Sequence, residues 1–222
     1  MTGDRAGNSV PGVQNVVPAA ADSVEAALAE RALTERREHY VAEVRRLIDA
    51  AFVVMSRTGS IEPQVRDIVR EAGLSNQAFY RHFPSKDALL LAVLADGRRR
   101  LVSYVEHRLA SVTDPRRQVR QWIEALMEQA RNAQAAEATR PFALNGARLG
   151  DRFPTEMAAG REELVRTLRP AIVAAGGDPR DADLVHDLAL ERMNDALVQR
   201  RTPTPAEVDH LVAFCLAAIE RS

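Results

Sequence analysis

Cysteine is almost missing from this chain: Cys215 is the only one in 222 residues. That excludes an intrachain disulfide and any metal centre built on clustered thiolates, and it suits a reducing compartment. Lysine is almost missing as well, because 29 of the 30 basic residues are arginine and the one lysine is Lys86. Long apolar runs are lacking. The longest, near residues 88–95, falls far short of the roughly 18 residues needed to span a bilayer, so no membrane partner is expected. No apolar stretch follows Asp4 and Arg5, so no signal peptide is read and the cytoplasm is the expected location. Net charge is small too. The formal value is −1, with +1 over residues 1–100 (14 basic, 13 acidic) and −2 over residues 101–222 (16 basic, 18 acidic). Nothing in that balance advertises nucleic acid, so a case for DNA has to be made locally.

The signatures of catalysis are also lacking. There is no metal-spaced His/Cys cluster and no nucleophile elbow, and Gly176-Gly177 runs into Asp178-Pro179 rather than the Lys-Ser/Thr of a phosphate loop. His82 with Asp87, and His186 with Asp187 and Glu191, are ordinary neighbours at 27% charged residues. An enzyme is not expected, and neither a cofactor nor a metal is called for.

What the chain does have is helical period. Nothing after Lys86 alternates like a strand, and the whole reads as all-α. Residues 63–90 hold two short amphipathic segments. In the first, Val65, Ile68, Val69 and Ala72 recur at helical spacing, opposite Arg66, Asp67, Arg70 and Glu71. Gly73 stands where a left-handed residue ends a helix, and Ser75 stands where a hydroxyl caps the next one. The second segment stacks Leu74, Phe79 and Phe83 on one side and leaves Asn76, Gln77, Tyr80 and Arg81 on the other. Two helices joined so tightly make a helix-turn-helix. Upstream, Val41, Val44, Ile48, Phe52 and Met55 trace a further helix that Gly59 ends.

Laid out this way, the stretch resembles the DNA-binding motif of TetR-type transcriptional regulators. The likeness lies in Val65-Arg66-Asp67-Ile68, Ala72-Gly73-Leu74-Ser75, Phe79-Tyr80-Arg81-His82-Phe83 and Pro84-Ser85-Lys86-Asp87-Ala88-Leu89, and covers about a quarter of the chain. The chain departs from the pattern at Val69, usually alanine, and at Gln64, usually threonine or serine. The resemblance implies Asn76, Gln77, Ala78 and Arg81 as base readers, since Asn and Gln suit adenine, Arg suits guanine and a methyl suits thymine. It places Gln64, Arg66, Tyr80, His82 and Lys86 at backbone phosphates. It also implies a repressor that binds double-stranded operator DNA as a homodimer through the last two helices, here 181–200 and 205–220. A small-molecule effector, unidentified, would release it.

The rest of the chain supports a helical body. Residues 1–21 have no period and read as a flexible tail, and Asp22 or Ser23 is placed to cap a helix after it. The resemblance implies residues 22–85 as the helix-turn-helix domain with its helical extension, and residues 86–222 as the ligand-binding and dimerisation domain. Lys86 opens a helix toward Ala110, and Asp114-Pro115 starts another that carries Val119, Trp122, Ile123, Leu126 and Met127. Residues 140–154 read as a short helix between loops, and Pro170 lies within a helix over 155–175. Asp178-Pro179 is expected to start a helix bearing Leu184, Leu188, Met193 and Leu197, and Thr204, Pro205 and Glu207 cap the last. Trp122, Met127, Phe142, Phe153, Met157 and Met193, with Asn145, Arg148, His186 and Asn194 as polar anchors, are candidates for an effector pocket. The alternative is a helical ligand-binding or protein-interaction module without sequence-specific DNA binding.

Overall fold

The computed structural model describes residues 19–220, with side chains from Val24 onward. Ten α-helices and no strand are present among the described residues: α1 Ala19–Thr58, α2 Val65–Ala72, α3 Asn76–His82, α4 Lys86–Leu109, α5 Pro115–Arg131, α6 Ala133–Leu144, α7 Gly146–Arg152, α8 Pro154–Ala174, α9 Asp181–Val198 and α10 Pro205–Ile219. The all-α expectation holds. The chain divides into two compact units, Met1–Ala42 and Glu43–Ser222. In the first, the helix is solvent-exposed along its described side chains, Val24, Leu28 and Leu33 included, and an Arg31–Glu35 ion pair of 2.9 Å spans one turn. Of the expected tail, residues 1–18 lie outside the described residues, whereas Ala19 to Ala21 are helical. Asp22 and Ser23 are thus already inside α1 and do not cap it.

Two hydrophobic cores organise the second unit. The first joins α1, α2, α3 and the start of α4 through Leu47, Ala51, Met55, Ile68, Phe79, Leu89 and Leu90. Here the expected stripe on α1 is shifted: Leu47, Ala51 and Met55 are fully buried, Val44, Ile48 and Phe52 only partly, and Val41 is exposed. The second core surrounds α5, which packs against α4, α6, α8, α9 and α10. Val119, Trp122, Ile123, Ala125 and Leu126 on α5 lose all their exposure there. α5 is amphipathic: Met127 and Ala130 complete its buried face, while Arg120, Gln121, Glu124, Glu128 and Gln129 on the other side are only partly covered.

The caps explain the element ends. Asp114 accepts from the Arg117 amide at 2.7 Å ahead of Pro115, and Ser85 accepts from the Ala88 amide at 3.1 Å at the start of α4. Thr204 and Glu207 make both halves of a capping box at 3.2 and 2.7 Å, as expected.

Two further boundaries and one buried face differ from the sequence reading. Arg140 to Leu144 continue α6, with Pro141 accommodated inside it, and only α7 is the short helix between breaks. Asp178 does not open α9: its carboxylate accepts from the Arg180 amide at 2.8 Å in a turn, and the helix begins at Asp181. Leu184 points to solvent, while the buried face of α9 is Ala182, Val185, His186, Ala189, Met193, Ala196 and Leu197. Among the described residues no helix is long and apolar enough to cross a membrane.

Candidate nucleic-acid interface

The turn between α2 and α3 is built on one backbone conformation. Gly73 adopts φ 61°, ψ 39°, a left-handed geometry that costs a Cβ-bearing residue steric energy, and its amide closes back on the Arg70 carbonyl. The Arg46 guanidinium of α1 then binds the Ala72 carbonyl at 2.5 Å and the Gly73 carbonyl at 3.1 Å, satisfying acceptors that the end of α2 leaves open. Arg57 of α1 pairs with Glu71 at 3.0 Å. Ser75 caps α3 by accepting from the Ala78 amide at 3.1 Å. The sequence expectation of a glycine stop, a serine cap and a second helix holds at each point.

Burial then sorts the side chains of α3. Phe79 is fully buried and Phe83 nearly so, their rings 6.1 Å apart. Asn76, Gln77, Tyr80 and Arg81 are exposed. Ala78 is buried, so of the four residues assigned to bases its methyl is the one turned into the head. Among the phosphate candidates, Gln64, Arg66, Tyr80 and Lys86 are exposed. His82 is not: its side chain has no exposure and its Nε2 lies 2.7 Å from the Glu43 carboxylate. Arg81 bonds the same carboxylate while keeping 54% of its side chain in solvent.

Residues 47–93 match a family model described as bacterial regulatory proteins, tetR family. The head of the chain is of the TetR type. Solved structures similar to it include a TetR transcription regulator from Haloarcula marismortui ATCC 43049, 16% identical with a TM-score of 0.66 over 81% of this chain and 97% of that one. Another is the fatty acid degradation regulator FadR from Bacillus halodurans, 15% identical with a TM-score of 0.63 over 80% and 94%. The reduced form of NemR from E. coli is 16% identical, with a TM-score of 0.63 over 81% and 95%. At such identities the likeness carries the fold: a helix-turn-helix head followed by a helical body. No curated protein matches. The TetR-type head gives this chain the architecture of a DNA-binding transcriptional regulator.

The helical body does not bring the ten pocket candidates together. Trp122, Met127 and Met193 belong to the core around α5, and the buried His186 ring lies 6.1 Å from Trp122. Burial pushes the His186 imidazole below its ordinary pKa, against the opposing pull of Asp187 at 2.9 Å. Phe153, with Phe142 and Met157 packed alongside, belongs instead to the head's core, where Phe142 stacks on Phe52 at 6.3 Å. Asn145 bonds the Pro141 carbonyl at 2.8 Å, and Asn194 is half-buried on α9.

Arg148 is occupied differently: it pairs with Glu62 at 2.8 Å, beside Arg152, which binds Glu62 at 2.7 Å and Asp87 as well. Hydrogen bonds from Arg152 and Arg148 hold the Glu62 carboxyl below its usual range. The arginines of α7 thus join the loop before α2 to the first turn of α4, next to Lys86.

Sequence reasoning missed two groups here. Glu43 lies on the buried stripe of α1, four residues before Leu47 and eight before Ala51, and a lone acid on an apolar stripe was the signal available. Leu149 of the glycine-containing α7 is the other: it stands four residues before Phe153, and both are buried in the head's core.

Arg98, Arg99 and Arg100, three consecutive residues staggered by about 100° on α4, share no single face and are each ion-paired. Arg98 binds Glu163 at 2.7 Å, Arg99 lies 3.5 Å from Asp96, and Arg100 binds Asp96 and Asp49, each at 2.8 Å.

Proposed function

We propose that this chain is a TetR-family homodimeric repressor that leaves a near-palindromic operator when a small molecule enters its body. One observation carries the DNA half of that reading. Four hydrogen-bonding side chains, Asn76, Gln77, Tyr80 and Arg81, share the outer side of a seven-residue helix whose inner side is locked by Phe79. A helix so presented fits a major groove, with Asn76, Gln77 and Arg81 against base edges and Gln64, Arg66, Tyr80 and Lys86 on phosphates. Residues 22–85 do the reading, residues 86–222 bind the effector and the second protomer, and the protein works in the cytoplasm.

The dimer is supported by what α9 and α10 leave in solvent. Leu184 is 68% exposed, Val198 46% and Phe214 59%. Large apolar side chains exposed on two adjacent helices favour a self-complementary contact, and a two-fold axis would pair the recognition helices. Effector binding around Trp122, Met127, His186 and Met193 would favour a body conformation that moves α4. The ion pairs of Arg148 and Arg152 with Glu62 and Asp87 supply a route from α7 to both sides of the recognition unit.

Two kinds of substitution separate the roles. Gln77→Ala is expected to cost about 1–3 kcal/mol at one base pair and relax preference there, whereas Lys86→Ala weakens all duplexes alike and makes binding less steeply salt-dependent. Titration of a selected operator and of scrambled duplexes, at several fixed salt concentrations, checks both. Unchanged affinity in both variants would remove α3 from the interface.

A further inference from the structure

We infer that Glu43 is a positioning residue for the recognition helix and, through Arg81, a determinant of the base pair accepted at one position of the DNA site. The inference rests on reading α3 as the helix that enters DNA, and it concerns a residue outside that helix. Glu43 is one of the few buried charged side chains, 7% exposed. A carboxylate taken that far out of water needs N–H donors around it. Two come from consecutive residues at the C-terminal end of α3: Arg81 through Nη2, and His82 through Nε2 at 2.7 Å. Their exposures differ sharply. The His82 side chain is fully buried and that of Arg81 is 54% exposed. Glu43 therefore has an inward partner that anchors the end of α3 and an outward partner that it orients.

The orientation has a consequence for recognition. A guanidinium has five N–H donors in a rigid fork, and the bond to Glu43 takes one of the two on Nη2, so the second Nη2 donor still makes a two-donor edge with Nε or Nη1. A fork already held at one point loses less rotamer freedom when it meets the two acceptors of a guanine edge than a free arginine does. Glu43 thus preorganises a reader without touching the base. Its effect should be confined to the position that Arg81 reads.

The test is selection from a random duplex pool, at fixed salt, by the full-length chain and by three variants: Glu43→Gln, Arg81→Ala and the double substitution. Glutamine keeps the shape of the side chain and removes its charge. Arg81→Ala is expected to lower discrimination at one base pair roughly tenfold or more. Glu43→Gln should lower discrimination at that same pair by about threefold or more, leave the other positions alike, and add nothing in the Arg81→Ala background. A far-UV melt accompanies each variant. If Glu43→Gln does not melt cooperatively, Glu43→Asp, which keeps the charge and shortens the reach, is expected to show the same single-position loss. An unchanged profile, or an equal weakening at every position in both backgrounds, overturns the proposal and leaves a purely structural acid. If the parent chain selects DNA but Arg81→Ala changes nothing, Glu43 has no reader to position and the proposal fails while the function stands. A parent chain that selects no duplex brings down both.

Discussion

Replacing Phe79 with alanine is expected to destabilise the head by about 3–5 kcal/mol and to remove sequence-specific DNA binding. Phe79 has no exposure and sits where α1, α2 and α3 meet, among Leu47, Ala51, Ile68 and Ala72. Its ring also lies 5.1 Å from that of Tyr80 in an edge-on arrangement and 6.1 Å from that of Phe83. Alanine leaves a void lined by residues of three helices, and helices of eight and seven residues are too short to persist without tertiary packing. The same side chain that orders the outer face of α3 is therefore the one whose loss costs most. Urea unfolding followed by far-UV circular dichroism checks the stability, and a duplex titration checks the binding. A loss below about 1 kcal/mol would mean that the head closes over the void and that Phe79 does not hold α3 in place.

Trp122→Ala is expected to have an effect of similar size in the body, about 3–5 kcal/mol. The indole is fully buried on α5, and its Nε1 donates to Thr167 Oγ1 of α8 at 2.8 Å, while that hydroxyl donates to the Leu164 carbonyl at 2.7 Å. Alanine removes the ring at the centre of the larger core and leaves Thr167 short of its donor. Trp122→Phe isolates part of this: it keeps most of the apolar volume and loses the hydrogen bond, worth about 1 kcal/mol. Chemical denaturation of the three proteins gives the comparison. Equal stabilities for Trp122→Ala and Trp122→Phe would show that packing of the indole is not what holds α5 to α8.

Most of the fold is legible before any coordinates, because the helices end on local chemistry. Gly73, Ser75, Ser85, Asp114 and Thr204 each announce a boundary through a backbone geometry or a capping oxygen that sequence displays. Where boundaries slip, longer-range packing decides. Pro141 looks like a break, yet it is buried within α6, beside Arg140, whose Nε reaches the Leu197 carbonyl of α9 at 2.9 Å. Leu184 looks like core by spacing and is exposed, since α9 turns its small residues Ala182, Ala189 and Ala196 inward.

The candidate site divides the same way. The exposed side of α3 can be read from period alone, and Asn76, Gln77, Tyr80 and Arg81 lie on it. The burial of Ala78 and His82 cannot, because it depends on how α1 lies across α3 and on Glu43, 39 positions before His82. The pocket candidates separate for a related reason: Leu149 and Phe153 draw α7 into the head's core, and Phe142 and Met157 follow them there.

The central claim is that α3 reads DNA in a two-fold dimer, and the most direct measurement is a hydroxyl-radical footprint on the duplex that the full-length chain selects from a random pool. Two protected half-sites in inverted orientation are expected, centred about one helical turn or roughly 34–36 Å apart, and both should weaken alike with Arg81→Ala. A pool with no enriched sequence, or a single protected patch without an inverted partner, would contradict it.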